Sequence, residues 1–279
     1  MALTINTNAL ALTSQRNLGI TEEKMKKTIE RLASGSRIVS AADDPAGLAI
    51  SDGMNATIRS LNQAMRNAQD GISLIQVFEG GTFEINNMLI RLRELAMQSS
   101  SDTVGARERA MLNNEVQELK NEITRVARTT TYMDRELLAG EKVKLEFQVG
   151  TGNVADKDRI LFDPGNTDLR SESLGVGDLD IRFKEDAQNA LPTIDEAIIR
   201  VNEMRARIGS SQNRLQTTLN SQGVYRENMM NANSRIKDAD MATETTNLAR
   251  ESILRQAGVA VLMQANETPR LALRLMNGG

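Results

Sequence analysis

Apolar positions recur along this chain at two different periods, and the change of period divides it. Between 18 and 32 the residues Leu18, Met25, Ile29 and Leu32 fall on one helical face, and Gly35 supplies a stop. A polar turn covers 40–44. Asp44-Pro45 then reads as an N-cap followed by proline at the first helical position, where its missing N–H costs nothing. Ile58, Leu61, Met65, Ala68, Ile72 and Ile75 step 3-4-3-4-3, a heptad seam. The phase slips once near Phe78, beside Gly80-Gly81, and resumes at Thr82, Ile85, Leu89, Leu92 and Ala96. A continuous helix over 45–98 would span about 80 Å at roughly 1.5 Å per residue, which predicts an elongated subunit. After a loop at 99–105, Leu112, Val116, Leu119, Ile123 and Val126 predict a second helix that folds back antiparallel.

The period then drops to two. Val143, Leu145, Phe147 and Val149 alternate with Lys144, Glu146 and Gln148, as in a half-buried strand. Gly150-Thr151-Gly152-Asn153 is a turn, and 160–162 is a second short strand ended by Asp163-Pro164-Gly165. Leu179, Ile181 and Phe183 predict a third strand. Helix resumes near Pro192, where Ile194, Ile198, Val201, Ile208, Leu215 and Leu219 keep heptad phase, with Arg205 and Gln212 in two seam slots. Met229 and Ile236 continue it. The last stretch carries Leu248, Ile253, Leu254, Ala257, Val261, Leu262 and Ala265, passes Pro269, and ends on Leu271, Leu273, Leu275 and Met276. Such a tail, apolar but never continuously so, is suited to contact. The expected fold class is mainly α: an elongated helical rod with terminal coiled-coil arms and a small β-hairpin region at about 142–184.

Composition narrows the chemistry. The chain has no Cys and no His, which removes disulfides, thiol nucleophiles, the commonest general acid–base group and the usual transition-metal ligands. Aromatic residues are only 3%, which suits slender helical layers better than a thick globule. The net charge of -3 and interleaved Lys and Arg give no case for nucleic acid. The longest apolar run, 258–263, is far short of the roughly 20 residues of a membrane helix. The first eight residues lack the layout of a conventional secretory signal, which favours the cytoplasm unless export uses another route.

Isolated motifs have structural explanations. Gly150-Thr151-Gly152 follows a strand, but no proper helix follows it, so it reads as a hairpin turn and no cofactor is expected. Asp43-Asp44 is explained by capping better than by a metal. The 14 Met residues sit mostly at or beside seam positions, as core filler or as adaptable interface. Arg91, Arg93 and Glu94 form a solvated helix face.

Several segments together resemble bacterial flagellin. They are Met1 to Asn8, Glu30-Arg31-Leu32-Ala33-Ser34-Gly35, Ser40-Ala41-Ala42-Asp43-Asp44-Pro45-Ala46-Gly47, Asn67-Ala68-Gln69-Asp70-Gly71-Ile72-Ser73 and Arg93-Glu94-Leu95-Ala96. Near the other end, Gly209-Ser210-Ser211-Gln212-Asn213-Arg214-Leu215, Ser234-Arg235-Ile236-Lys237-Asp238-Ala239-Asp240-Met241-Ala242 and Ile253-Leu254-Arg255-Gln256-Ala257-Gly258 agree in order. The resemblance implies an extracellular filament subunit for motility, exported unfolded through a type III channel. It implies an inner coiled-coil domain from 1–44 with 240–279 and a helical rod domain from 45–239, with the outer mid-chain domains absent. Leu18, Met25, Ile29, Leu32, Leu248, Leu254, Val261, Leu262, Leu273 and Leu275 are the candidate polymerisation residues. Implied partners are other copies of the chain, an export chaperone, and cap and junction proteins. A host Toll-like receptor contact would map to Arg91, Leu95 and Glu115. Tyr132-Met133-Asp134-Arg135 departs from an aromatic followed by Asn-Gly and leaves the turn type open.

A hook–filament junction protein is the runner-up, since it shares the terminal logic. A cytosolic coiled-coil scaffold suits the seams less well because a sheet interrupts them, and an enzyme is the weakest reading. The arms are helices that packing must hold together, so they should order on docking with other copies. Removing about thirty residues from either end should therefore give soluble monomers and no filaments in electron micrographs. Fibres from a trimmed chain would overturn that expectation.

Overall fold

The computed structural model describes residues 8–140 and 144–277, with side chains described to 267. The segment 1–7, Val143, Gly278 and the side chains of Leu271, Leu273, Leu275 and Met276, all part of the expectations above, lie outside the described residues. Among the described residues, six helices and four strands follow in order: α1 Ala9–Ser34, α2 Pro45–Ser99, α3 Ala106–Thr129, β1 Thr131–Tyr132, β2 Arg135–Glu136, β3 Leu145–Gln148, α4 Ala155–Asp158, β4 Arg159–Phe162, α5 Lys184–Lys237 and α6 Met241–Asn277. The fold is mainly α with two small antiparallel hairpins. The chain divides into two compact units, Met1–Ala56 with Asn228–Gly279, and Thr57–Glu227.

The central unit, Thr57–Glu227, is built on the predicted heptads. Leu61, Ala68, Ile72, Ile75, Phe78, Thr82, Ile85, Leu89, Leu92 and Ala96 of α2 are all buried. The helix runs unbroken through the phase slip. There the hydroxyl of the buried Thr82 donates to the Phe78 carbonyl at 2.9 Å, and Phe78 meets Phe162 edge to face with centroids 5.3 Å apart. The α3 helix folds back antiparallel, since Arg91 pairs with Glu115 while Arg109 donates to the carbonyls of Ser99 and Ser101. In α5, Ala187, Ala190, Ile194, Ala197, Val201, Met204, Ile208 and Leu215 face the same core.

The β region differs from expectation in two ways. Strands β3 and β4 form the predicted hairpin, with Leu145 opposite Phe162 and Gln148 opposite Arg159. Its connection is a turn in which the Gly152 and Val154 amides donate to the Asp158 carboxylate. A second hairpin, β1–β2, turns through Met133 and Asp134, both at positive φ (48° and 62°). That is the two-residue geometry which usually selects Asn-Gly, reached here without glycine. Leu179, Ile181 and Phe183 do not form a strand. Ile181 is buried and Phe183 is exposed, so the alternation does not mark a sheet face. Side chains satisfy this backbone instead. Ser99 donates to the Ile181 carbonyl at 2.6 Å, Asn113 accepts from the Ile181 amide, and Lys120 and Gln117 both donate to the Leu179 carbonyl. Burial pushes the Lys120 ammonium below its ordinary pKa.

Helix α5 begins at Lys184, eight residues before the expected start at Pro192. Its first turns bury only Ala187 and Ala190, which give no strong apolar signal, while Glu185 and Asp186 complement the helix N-terminus. Pro192 sits inside the helix and leaves one carbonyl without its helical donor.

The paired glycines in α2 are not equivalent. A Cβ on Gly81 would lie 2.6 Å from Thr130 Oγ1 and 2.7 Å from Leu138 Cδ1, whereas one on Gly80 meets nothing within 4 Å. Gly81→Ala should lower stability by about 1–3 kcal/mol through overpacking, and Gly80→Ala should raise it by roughly 0.5–1 kcal/mol through helix propensity. Urea unfolding of the two variants decides this, and shifts of the same sign would refute the assignment.

Candidate assembly surface

The terminal unit is an antiparallel pair, α1 against α6, and local signals fix both helices. Asn8 caps α1 by accepting from the Ala11 amide, and its side-chain amide donates to the Ala265 carbonyl at 2.7 Å. Gly35 ends α1 in the left-handed conformation, φ 67°, as the sequence predicts. Asp240 caps α6 through the Ala242 and Thr243 amides and the Thr243 hydroxyl, which together hold its carboxyl below the usual range. At the other end of the pair, Arg31 bonds Glu244 at 3.5 Å. The connecting turns are tied by Arg37 N–H to Lys237 O at 2.6 Å and Ala239 N–H to Gly35 O at 2.9 Å. Asp44 caps α2 through the Gly47 amide, as expected. Asp43 accepts from the Val39 and Ser40 amides, and chiefly the Ser40 amide lowers its pKa.

The seam of this pair is unusual in what it encloses. On α1 the shielded positions are Ala11, Ser14, Leu18, Thr21, Met25, Thr28 and Leu32, spaced 3-4-3-4-3-4. On α6 they are Glu244, Asn247, Leu248, Glu251, Ser252, Gly258, Leu262 and Ala265. Most are small or polar. A Cβ on Gly258 would come to 3.3 Å of Leu18, so glycine permits this close approach. One carboxylate oxygen each of Glu244 and Glu251 is buried without a hydrogen-bond partner.

Several large apolar residues stay exposed: Leu10 (61% exposed), Leu12 and Ile20 on α1, and Ile253 (66%), Leu254, Val259, Val261 and Met263 (62%) on α6. A shallow groove between the helices is lined by Ser14, Leu18 and Thr21 on one side and Leu254, Ala257 and Val261 on the other. Among the candidate arm residues, Leu18, Met25, Leu32, Leu248 and Leu262 are half-buried in the pair, while Leu254 and Val261 face out. Ile29 is 45% exposed, while Thr28, the other position between Met25 and Leu32, is buried at 5%.

In the central unit, Arg91 on α2 donates to Glu115 on α3 and to Glu94, each at 2.9 Å, and the bond to Glu115 is the main cause of its raised pKa. All three side chains are exposed. Leu95 is 1% exposed and belongs to the core beneath them. Sequence reasoning missed the neighbouring pair Arg93–Asp195, 2.6 Å across α2 and α5, because no local pattern joins residues so distant in the chain.

A terminal helix pair that hides small polar residues and presents large apolar ones defines the class: a self-assembling structural subunit. Comparison with known proteins gives the particular family. The bacterial flagellin N-terminal helical region matches residues 5–143, and the flagellin C-terminal helical region matches residues 191–276. The chain belongs to the flagellin family. It is 42% identical over 272 residues to a flagellin of Halalkalibacterium halodurans, covering 98% of this chain and 99% of the relative. It is 39% identical to the flagellar filament 33 kDa core protein of Treponema phagedenis, again covering 98% and 99%. These full-length matches make it the short form of flagellin, without the mid-chain variable domain, and a structural subunit of the extracellular filament. Export and a part in motility follow from the family. A solved flagellar hook-associated protein of Vibrio parahaemolyticus shares the fold, with a TM-score of 0.57 over 70% of this chain and all of that one. At 13% identity it carries the fold alone, so the junction-protein reading is the weaker one.

Proposed function

We propose that residues 1–44 with 240–279 form the inner assembly domain of the filament and that residues 45–239 form its rod domain. The observation that carries this is the outward apolar stripe of α1 and α6, centred on Ile253, Leu254 and Val261. An apolar face of this kind on a helix pair calls for further helices, and copies of the same chain supply them. The arms of the free subunit are loosely held and become ordered on docking, which suits passage through a narrow export channel. Before docking, an export chaperone would cover the α6 stripe, and the cap and junction proteins would meet the same surfaces at the filament ends. No catalytic step is assigned. The family is structural, and acid–base chemistry at neutral pH would have to proceed without a histidine.

Replacing Ile253 and Val261 together by Ser removes apolar area worth about 1.5–3 kcal/mol per residue when covered. The critical concentration for filament growth should rise more than tenfold, with the thermal unfolding of the central unit unchanged. Filaments growing at the native concentration would refute the assignment of this stripe.

A second reading concerns the host. Arg91 and Glu115 are exposed, lie on adjacent helices and are already joined, so they form a rigid charged patch that a Toll-like receptor could read, with Leu95 supporting it from below. Arg91→Ala should weaken binding to a purified receptor ectodomain at least tenfold, and unchanged binding would remove the assignment.

A further inference from the structure

Two hydrogen-bonded polar pairs lie at the facing positions of α2 and α5, where a helix seam normally carries apolar residues. In the terminal unit, Asn233 donates to the Asn55 side-chain oxygen at 3.1 Å. In the central unit, Arg226 donates to the Asn62 side-chain oxygen at 3.1 Å. Asn55 and Asn62 are seven residues apart on α2, and Asn233 and Arg226 are seven apart on α5, so both pairs occupy equivalent heptad layers of an antiparallel seam. Gln222, Arg226, Met229, Asn233 and Ile236, all half-buried, step 4-3-4-3 along the same face of α5, with Gly223, Ala232 and Lys237 shielded beside them.

These layers are poor as stabilisers. The Ser51 hydroxyl, the Asn233 oxygen, the Arg226 Nε and the Gln222 oxygen are buried with no hydrogen-bond partner. An apolar layer would hold the helices together more strongly. It would also do so without regard to partner: a chain that exposes apolar stripes on other helices could then pair α2 or α5 with a neighbour's helix. A polar layer is selective, because each amide or guanidinium must find its complement on pain of being buried alone.

We propose that Asn55–Asn233 and Asn62–Arg226 are partner-selecting layers that restrict α2 and α5 to pairing within one chain. They trade stability for specificity and act before any filament contact forms, so the proposal stands apart from where copies later dock.

The test uses the full-length chain at concentrations where it is monomeric. Replacing both pairs by Leu (Asn55→Leu, Asn233→Leu, Asn62→Leu, Arg226→Leu) should raise the unfolding midpoint and convert the monomer into dimers and larger species in sedimentation velocity. A stabilised variant that stays monomeric would overturn the proposal. Should the fourfold variant not fold, the charge test decides. Asn62→Arg sets arginine against Arg226 and should lower the midpoint by about 5–10 °C. Adding Arg226→Asn in the same chain restores the pair in reversed order and should recover most of that loss. If the reversal recovers nothing, the layer does not recognise its partner and the proposal fails.

Discussion

A pair of helices has one seam, and each helix can hide only the stripe that faces its partner. In the terminal unit that stripe is given over to serine, threonine, glycine, alanine and two glutamates, with a few Leu and Met between them. Leu10, Leu12, Ile253, Leu254 and Val261 stay largely exposed. The arms are therefore connected by caps and turns and only weakly held by apolar packing. A surface of this kind on a molecule that stacks head to tail generates a filament and not a closed dimer.

The central unit reverses this arrangement. Its seam is filled by Leu, Ile and Phe from α2, α3 and α5, and ion pairs such as Arg91–Glu115 and Arg93–Asp195 lie outside. It holds its shape without neighbours. Exposed pairs of this type contribute little to stability, about 0–1 kcal/mol each, and their role is to keep the outer face polar. The irregular segment from 163 to 183 is secured by hooks from α3: Thr124 to Ser171, Gln117 and Lys120 to Leu179, and Asn113 to Ile181. These bonds close that side of the core of the central unit.

Between these two regimes, the α2 and α5 seam carries Asn and Arg layers that are neither apolar nor fully satisfied. A chain built to join others gains from a seam that accepts only its own partner.

Periodicity alone determined the helices α2 and α3, the pairing of β3 with β4, the stop at Gly35 and the cap at Asp44, because each depends on side chains within a turn or two of one another. The class of protein was legible for the same reason, in segments spread along both arms. Only the tertiary structure decided that Thr28 is buried and Ile29 exposed, since a helix face becomes an inside only when a partner covers it. Likewise it decided that Leu95 is buried in the core while Arg91 is exposed, and that 179–183 is no strand. Lys120, Asn113 and Ser99 reach that segment from 59 to 82 residues away, and no window along the chain contains both ends of such a bond.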